Sequence, residues 1–453
     1  MSGYEDMPRL VGELKRAAID AYMKSHAWLP AGDHYMPKHP VDWGAPYTSV
    51  EVTRPKKDGT GGGRFTALTE GAPGTEDSRY VGAFNSVRSW VDSTVELLVR
   101  IPDGSSYDGP YQQLAGFFLY LPRPGKAGVN LQFLRNWAWL REALDHDRMR
   151  GQFVEAFDAY IDALPGVVAN FSGMVLALMA GLKAEQVLMR NAREDAVRIV
   201  ESAIASFNEC VAVGESSYEK AWDKGFAVTS TIASAISLLV PGGIGFSITA
   251  GTIAITLADS APKLADYAFP PAPGLVFDDV RKATAQAVSS LLLVIEEVEK
   301  GMSLVQKDNR IKVLGNEKQK PFDLDSGLRH ARRPADFQLN PAISEDAVGV
   351  VLGALDGIGD VLRKARARLL CTEYYSAWWR PIGLGMGSYG FRQDWLGLLS
   401  DVDKRLDDLR EEVVDARARF DLGARALIQQ DCDIAKQLQE YADNYVDPYP
   451  NLL

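Results

Sequence analysis

The sequence predicts a mainly α fold, with long-helix hairpins and a bundle behind a small irregular N-terminal region that contains a little β. Three observations point there. Apolar residues recur at steps of three and four from about Asn85 onward, two heptad runs occupy the last hundred residues, and glycine and proline concentrate between residues 30 and 80. At 453 residues, 46% hydrophobic and 24% charged, the chain has the composition of a folded protein with ample core. A net charge of -11 argues against nucleic-acid binding and gives no attraction to anionic headgroups, so partners must be met by shape or apolar contact.

The N-terminal unit, residues 1–82, opens with an amphipathic helix over about residues 8–27. Two strand-like runs follow, "TSVEVTR" (48–54) and "RFTALTE" (64–70), around "PKKDGTGGG". That arrangement predicts a hairpin with a long flexible tip; the glycine run lacks the GKS or GKT ending and the following helix of a phosphate loop.

Residues 83–305 form the predicted bundle. Phe153, Phe157, Tyr160, Leu164, Val168, Phe171, Val175, Leu178 and Leu182 define one long helix or a kinked pair, with Pro165 and Gly166 as the expected break. Another helix is predicted from about Asp278 to Val305. Between them, residues 225–258 run for 34 positions without a charged side chain. Pro241, Gly242 and Gly243 split this run into two arms of 15 residues, each roughly 22 Å long as a helix and short of the roughly 30 Å hydrocarbon core. A fixed two-pass anchor is therefore disfavoured. Two readings stand: a hairpin buried in the core, or a stored membrane-inserting hairpin presenting Phe226, Leu238, Leu239, Phe246, Ile253 and Leu257.

Residues 306–340 are charge-dense, without an apolar face, and read as a polar linker. The last unit, residues 341–453, reads as an antiparallel helical hairpin. Asn340 caps its first helix, whose heptad positions are Val348, Val351, Leu355, Ile358, Leu362, Ala365 and Leu369. Gly349, Gly353 and Gly357 lie four apart on this helix, and such a stripe predicts a face packed closely against another helix. After the corner "YYSAWWRPIGLGMGSYGFRQDWLG" a second heptad run extends from Leu399 through Val413, Phe420 and Leu427 to Leu438.

Trp395-Leu396-Gly397 supplies a W-x-G at the entrance to that second helix, and Leu427 and Asp431 stand four apart near its end. With these features the C-terminal hundred residues resemble the actinobacterial type VII (ESX) secretion substrates of the WxG and Esp-like kinds. Those are helical hairpins with a tryptophan-glycine corner and a Tyr-x-x-x-Asp or Glu export signature; here Leu427 occupies the tyrosine position and Asp431 the acid. The resemblance implies a secreted or cell-surface protein, exported without a general secretory signal peptide, that works through a protein partner or self-association by its hairpins, or by membrane contact.

No catalytic constellation is evident: the sequence has no GxSxG, HExxH, Walker or dinucleotide fingerprint. His34 and His39, near Asp33 and Asp42, match no metal spacing and read as solvated loop side chains. Cys210, Cys371 and Cys432 are far apart and read as small apolar residues. The expectation is a non-enzymatic protein with no cofactor and no metal. A soluble cytoplasmic scaffold is the alternative to export, and an α-helical pore former the alternative to a partner-binding substrate.

Overall fold

The computed structural model describes residues 2–38, 47–69, 72–123, 132–144, 149, 152–212, 276–314, 345–370 and 376–444. Helices dominate, and a small antiparallel sheet lies near the N-terminus. In chain order the elements are α1 (Met7–Ser25), β1 (Trp28–Ala31), β2 (His34–Pro37), β3 (Tyr47–Thr53), β4 (Phe65–Thr69), β5 (Ala72–Asp77), α2 (Val81–Val95), α3 (Asp108–Ala115) and α4 (Gln132–Ala143). They continue with α5 (Gln152–Ala212), α6 (Phe277–Leu314), α7 (Glu345–Arg366) and α8 (Arg392–Asn444).

The sheet is a meander in the order β1-β2-β3-β4-β5. The two strand-like runs of the sequence are β3 and β4, its inner pair. The strands that sequence reading missed contain proline, Pro30 in β1, Pro37 at the end of β2 and Pro73 in β5, and β1 and β5 are the edges where a missing ladder donor costs least. Asp20, buried in the middle of α1, holds the sheet to the helices. It accepts from Arg54 Nε at 2.9 Å and Nη2 at 2.5 Å, and from the Tyr35 hydroxyl at 2.5 Å. The predicted flexible tip is pinned: Arg88 on α2 donates to the carbonyls of Gly59, at 2.7 Å, and Gly61.

At about 1.5 Å per residue, α5 is a rod of roughly 90 Å, and it runs without a break through Pro165. Proline cannot donate to the carbonyl of Ile161 four residues back. Trp137 on α4 replaces that donor, its indole N–H reaching Ile161 O at 3.3 Å. The expected break at Pro165 and Gly166 is therefore absent because a neighbouring helix satisfies the orphaned acceptor.

Around α5 the other long helices are arranged in a definite sense. Gln306 reaches Ala177 O and Glu299 lies by Glu185 through Arg380, so α6 runs antiparallel to α5. Trp395 bonds Leu178 O while Phe420 packs on Phe157 at 4.7 Å, so α8 is antiparallel to α5 as well. Ser303 to Asp394 and Arg310 to Asp401, the latter at 2.5 Å, make α6 and α8 parallel neighbours. The C-terminal pair α7 and α8 is the predicted antiparallel hairpin, tied by Arg366 to Asp403 at 2.8 Å and Asp407 at 2.6 Å, and by Arg417 to Asp356 at 2.7 Å.

Two expectations change here. The polar linker begins later than residue 306, since α6 continues to Leu314 with Gln306, Asn309 and Val313 buried; its buried positions are largely polar amides, which conceal a buried face from a hydropathy reading. Among the described residues the glycine stripe meets a neighbour at Gly357 alone, the amide of Asn136 on α4, and nothing lies within 4 Å of where a Cβ would sit on Gly349 or Gly353. The uncharged run 225–258 and residues 315–344 lie outside the described residues.

Asn309 is fully buried on α6, and neither end of its amide has a hydrogen-bond partner among the described residues. An unsatisfied buried amide costs on the order of 1–3 kcal/mol. Replacing Asn309 with Leu, close in volume, should therefore raise stability by about 1 kcal/mol, read as a higher urea midpoint at unchanged slope. A lower midpoint would show that the amide is satisfied in solution.

Candidate functional site

The segment 376–391, between α7 and α8, is where most of the unusual chemistry meets. Ala377 and Trp378 near its start turn inward. Trp378 packs edge-on against Tyr107 at 5.1 Å and Phe391 at 4.9 Å, and tilts against Trp395 at 5.8 Å. Aromatic pairs at such separations add to the burial of their area. Next to this cluster Arg380 enters the core, 2% exposed, between the two long helices α5 and α6.

Both helices meet the guanidinium with a carboxyl group from a fully buried residue. Glu185 on α5 is 2.8 Å from Arg380 Nη1, and Glu299 on α6 is paired with the same nitrogen. The other groups serve the loop itself: Arg380 Nε donates to Gly387 O at 2.9 Å, its backbone N–H to Ser388 O at 3.1 Å, and the Met386 amide to Glu299 Oε2 at 2.6 Å. Tyr107 lies near enough to Glu185 for each to perturb the other's charge. Two glycines make the approach possible. Gly385 (φ +60) and Gly390 (φ +52) adopt the left-handed region, and a Cβ on either would collide with Glu299 or Arg380.

The charge count fixes the protonation. One guanidinium balances one carboxylate, and two ionised carboxylates at a site closed to bulk solvent would leave a net buried negative charge. Burial, followed by the repulsion of Glu185, pushes the Glu299 carboxyl up to about 9, and burial likewise raises Glu185. The pair therefore holds one shared proton at neutral pH. Burial also drives the Tyr107 hydroxyl well above its ordinary range, so it stays protonated.

Trp395 and Gly397, read as a hairpin corner, lie in the first turns of α8 and serve to dock it. Trp395 is fully buried, with its indole N–H on Leu178 O at 2.9 Å, and Gly181 on α5 leaves the space its ring occupies. A Cβ on Gly397 would stand 3.0 Å from Arg310 on α6, so that glycine admits the Arg310–Asp401 pair. Leu427 is half-buried and Asp431 exposed, 36 positions down the same helix from Trp395 by sequence, so the structure does not bring the four residues together. Phe226, Leu238, Leu239, Pro241, Gly242, Gly243, Phe246, Ile253 and Leu257 lie outside the described residues.

Sequence reading missed Glu185, Glu299 and Arg380. Glu185 and Glu299 belong to amphipathic helices where a charged residue reads as solvent-facing, and Arg380 belongs to an irregular corner whose sequence has no period to place its side chain. His34 sits on β2, 3.9 Å from Glu51, while His39 and Asp42 lie outside the described residues. Burial pushes the Cys210 thiol up to about 11, in keeping with a packing role. Cys432 is exposed on α8.

Among the described residues one helical stretch, Phe157–Val211, is long and apolar enough to cross a membrane, and 61% of its most apolar window is buried within the bundle. It serves there as the central core helix. No protein family, curated protein or solved structure matches this chain.

The shared proton makes a pH dependence. The unfolded chain releases it near 4.5, the ordinary glutamate value, whereas the folded pair keeps it to about 9. Folding therefore takes up a proton across this window, and the stability from the pair is fullest at its acid end. It declines by up to about 1.4 kcal/mol per pH unit as pH rises toward the folded value. Glu299→Gln, neutral at every pH, should flatten that decline in urea midpoints between mildly acidic and mildly alkaline buffer. Equal slopes for the variant and wild type would refute the shared proton.

Proposed function

We propose that this chain is a non-enzymatic helical-bundle protein that acts at a membrane, with the uncharged segment 225–258 as the element that enters lipid. The observation that carries this reading is where the flanking helices end. Phe207, in the last turns of α5, and Phe277, the first residue of α6, pack at 5.8 Å, and Tyr22 of α1 meets Phe277 at 5.6 Å. The end of α5 and the start of α6 thus meet at one place, beside α1. An element joined to the body at a single place has the connection that an inserting hairpin needs. Neither arm alone covers the hydrocarbon thickness, which favours insertion by several copies together over a fixed anchor.

A second reading, a secreted substrate of the type VII kind that meets a protein partner, has its own support. Residues 429–440 of α8 are exposed, past Ala424, the last buried position among the described residues, so the place where the resemblance puts an export signal is accessible with Asp431 on it. Under both readings the protein acts at or outside the cell surface.

The test is dye release from phosphatidylcholine vesicles by the full chain, by Gly245→Asp, and by a chain lacking residues 225–258. Wild type should release dye. Both variants should be inactive while keeping the helical circular dichroism and urea midpoint of the wild type, because α5 and α6 still meet. Release by the chain lacking the segment, or none by wild type, would rule the insertion reading out.

A further inference from the structure

The corner that buries Arg380 also has an outer side. Segment 376–391 contains no Asp, Glu or Lys, and its one charged residue, Arg380, is turned fully into the core. What remains outside is apolar and large: Trp379 is 69% exposed, Ile382 84%, and Met386 and Tyr389 of the same short segment are exposed as well. Large apolar residues grouped in this way mark contact sites on soluble proteins.

The group is held in place from below. Trp378, Leu384 and Phe391 alternate with the outward residues and are buried; Arg380 bonds the carbonyls of Gly387 and Ser388, and Glu299 takes the Met386 amide. A loop fixed by three inward hydrogen bonds and three buried side chains loses little freedom when its tip meets a partner.

We infer that this corner is a membrane-contact loop that seats Trp379, Ile382, Met386 and Tyr389 in the interfacial layer of a zwitterionic lipid surface. It rests on the membrane reading above, but places the contact on an element separate from residues 225–258. Trp and Tyr are the side chains that favour the water–lipid boundary, with an apolar body and one polar group. Ile382 stands almost clear of the protein, as a side chain dipping into lipid does, whereas the anchor of a protein interface fills a pocket within a polar rim. Irregular backbone cannot enter hydrocarbon unsatisfied, so the depth is limited to the reach of these side chains. The net charge of -11 gives anionic headgroups no advantage, so phosphatidylcholine is the lipid class chosen and added phosphatidylserine should not strengthen binding.

Flotation with phosphatidylcholine vesicles separates this loop from the inserting segment. The proteins compared are the full chain, the double variant Trp379→Ser/Ile382→Ser, and the chain lacking residues 225–258. Both substituted side chains are exposed, so the double variant should keep the wild-type urea midpoint. The full chain and the chain lacking the segment should float. The double variant should partition at least about tenfold less, the effect of withdrawing two large apolar side chains. Any other pattern overturns the inference: flotation of the double variant like wild type, loss on removing residues 225–258, or no flotation of the full chain. Dye release by a full chain that does not float would leave the insertion reading standing and remove only the loop.

Discussion

A single guanidinium, on Arg380, joins three parts of the chain that are far apart in sequence. It belongs to the corner before α8, and its partners Glu185 and Glu299 belong to two long helices, α5 and α6. Removing one partner from a fully buried pair costs about 3–5 kcal/mol, because the survivor is stranded without water or counter-charge. That penalty makes the cluster a specifier of arrangement. Any other register of α5 against α6, or any other seat for the corner, strands a charge.

The rest of the bundle is arranged around that constraint. The corner must bring Arg380 inward, so its backbone turns on glycines that let Glu299 and Arg380 approach. Trp378 and Phe391 form the dry wall beside the ion pair, and Trp395 carries this wall into α8 by bonding α5. Once α8 is seated, Asp394 and Asp401 face α6 and Asp403 and Asp407 face α7, which places the C-terminal hairpin on the central pair. The same inward demand of the corner leaves its remaining large side chains outside.

The sequence made the helices and the C-terminal hairpin legible, because heptad spacing is local and repeats many times, from Val348 to Leu362 and from Leu399 to Phe420. It disclosed β3 and β4, whose inner positions carry valine, threonine and phenylalanine, and hid the proline-bearing strands beside them. Pro165 misled because the donor that rescues its helix, Trp137, lies on another element. Gly349 and Gly353 show the converse: spacing places residues on one face but cannot say what lies opposite, and no described residue does. Arg380, Glu185 and Glu299 were illegible because their meaning depends on burial, and burial comes from contacts spanning about 80 to 195 positions. The tryptophan of the W-x-G was read at the right place but for a corner rather than for its bond to Leu178.

The most direct measurement of the buried Arg380 is amide hydrogen exchange in the corner, in wild type and in Arg380→Met. Met386 donates to a carboxyl group that solvent does not reach, and Arg380 donates to Ser388 O. If Arg380 holds the corner to α5 and α6, both amides in the wild type exchange with the slow core, and the variant speeds them at least about a hundredfold while the α7–α8 hairpin keeps its protection. Exchange of the wild-type Met386 amide at the rate of an open loop would contradict it.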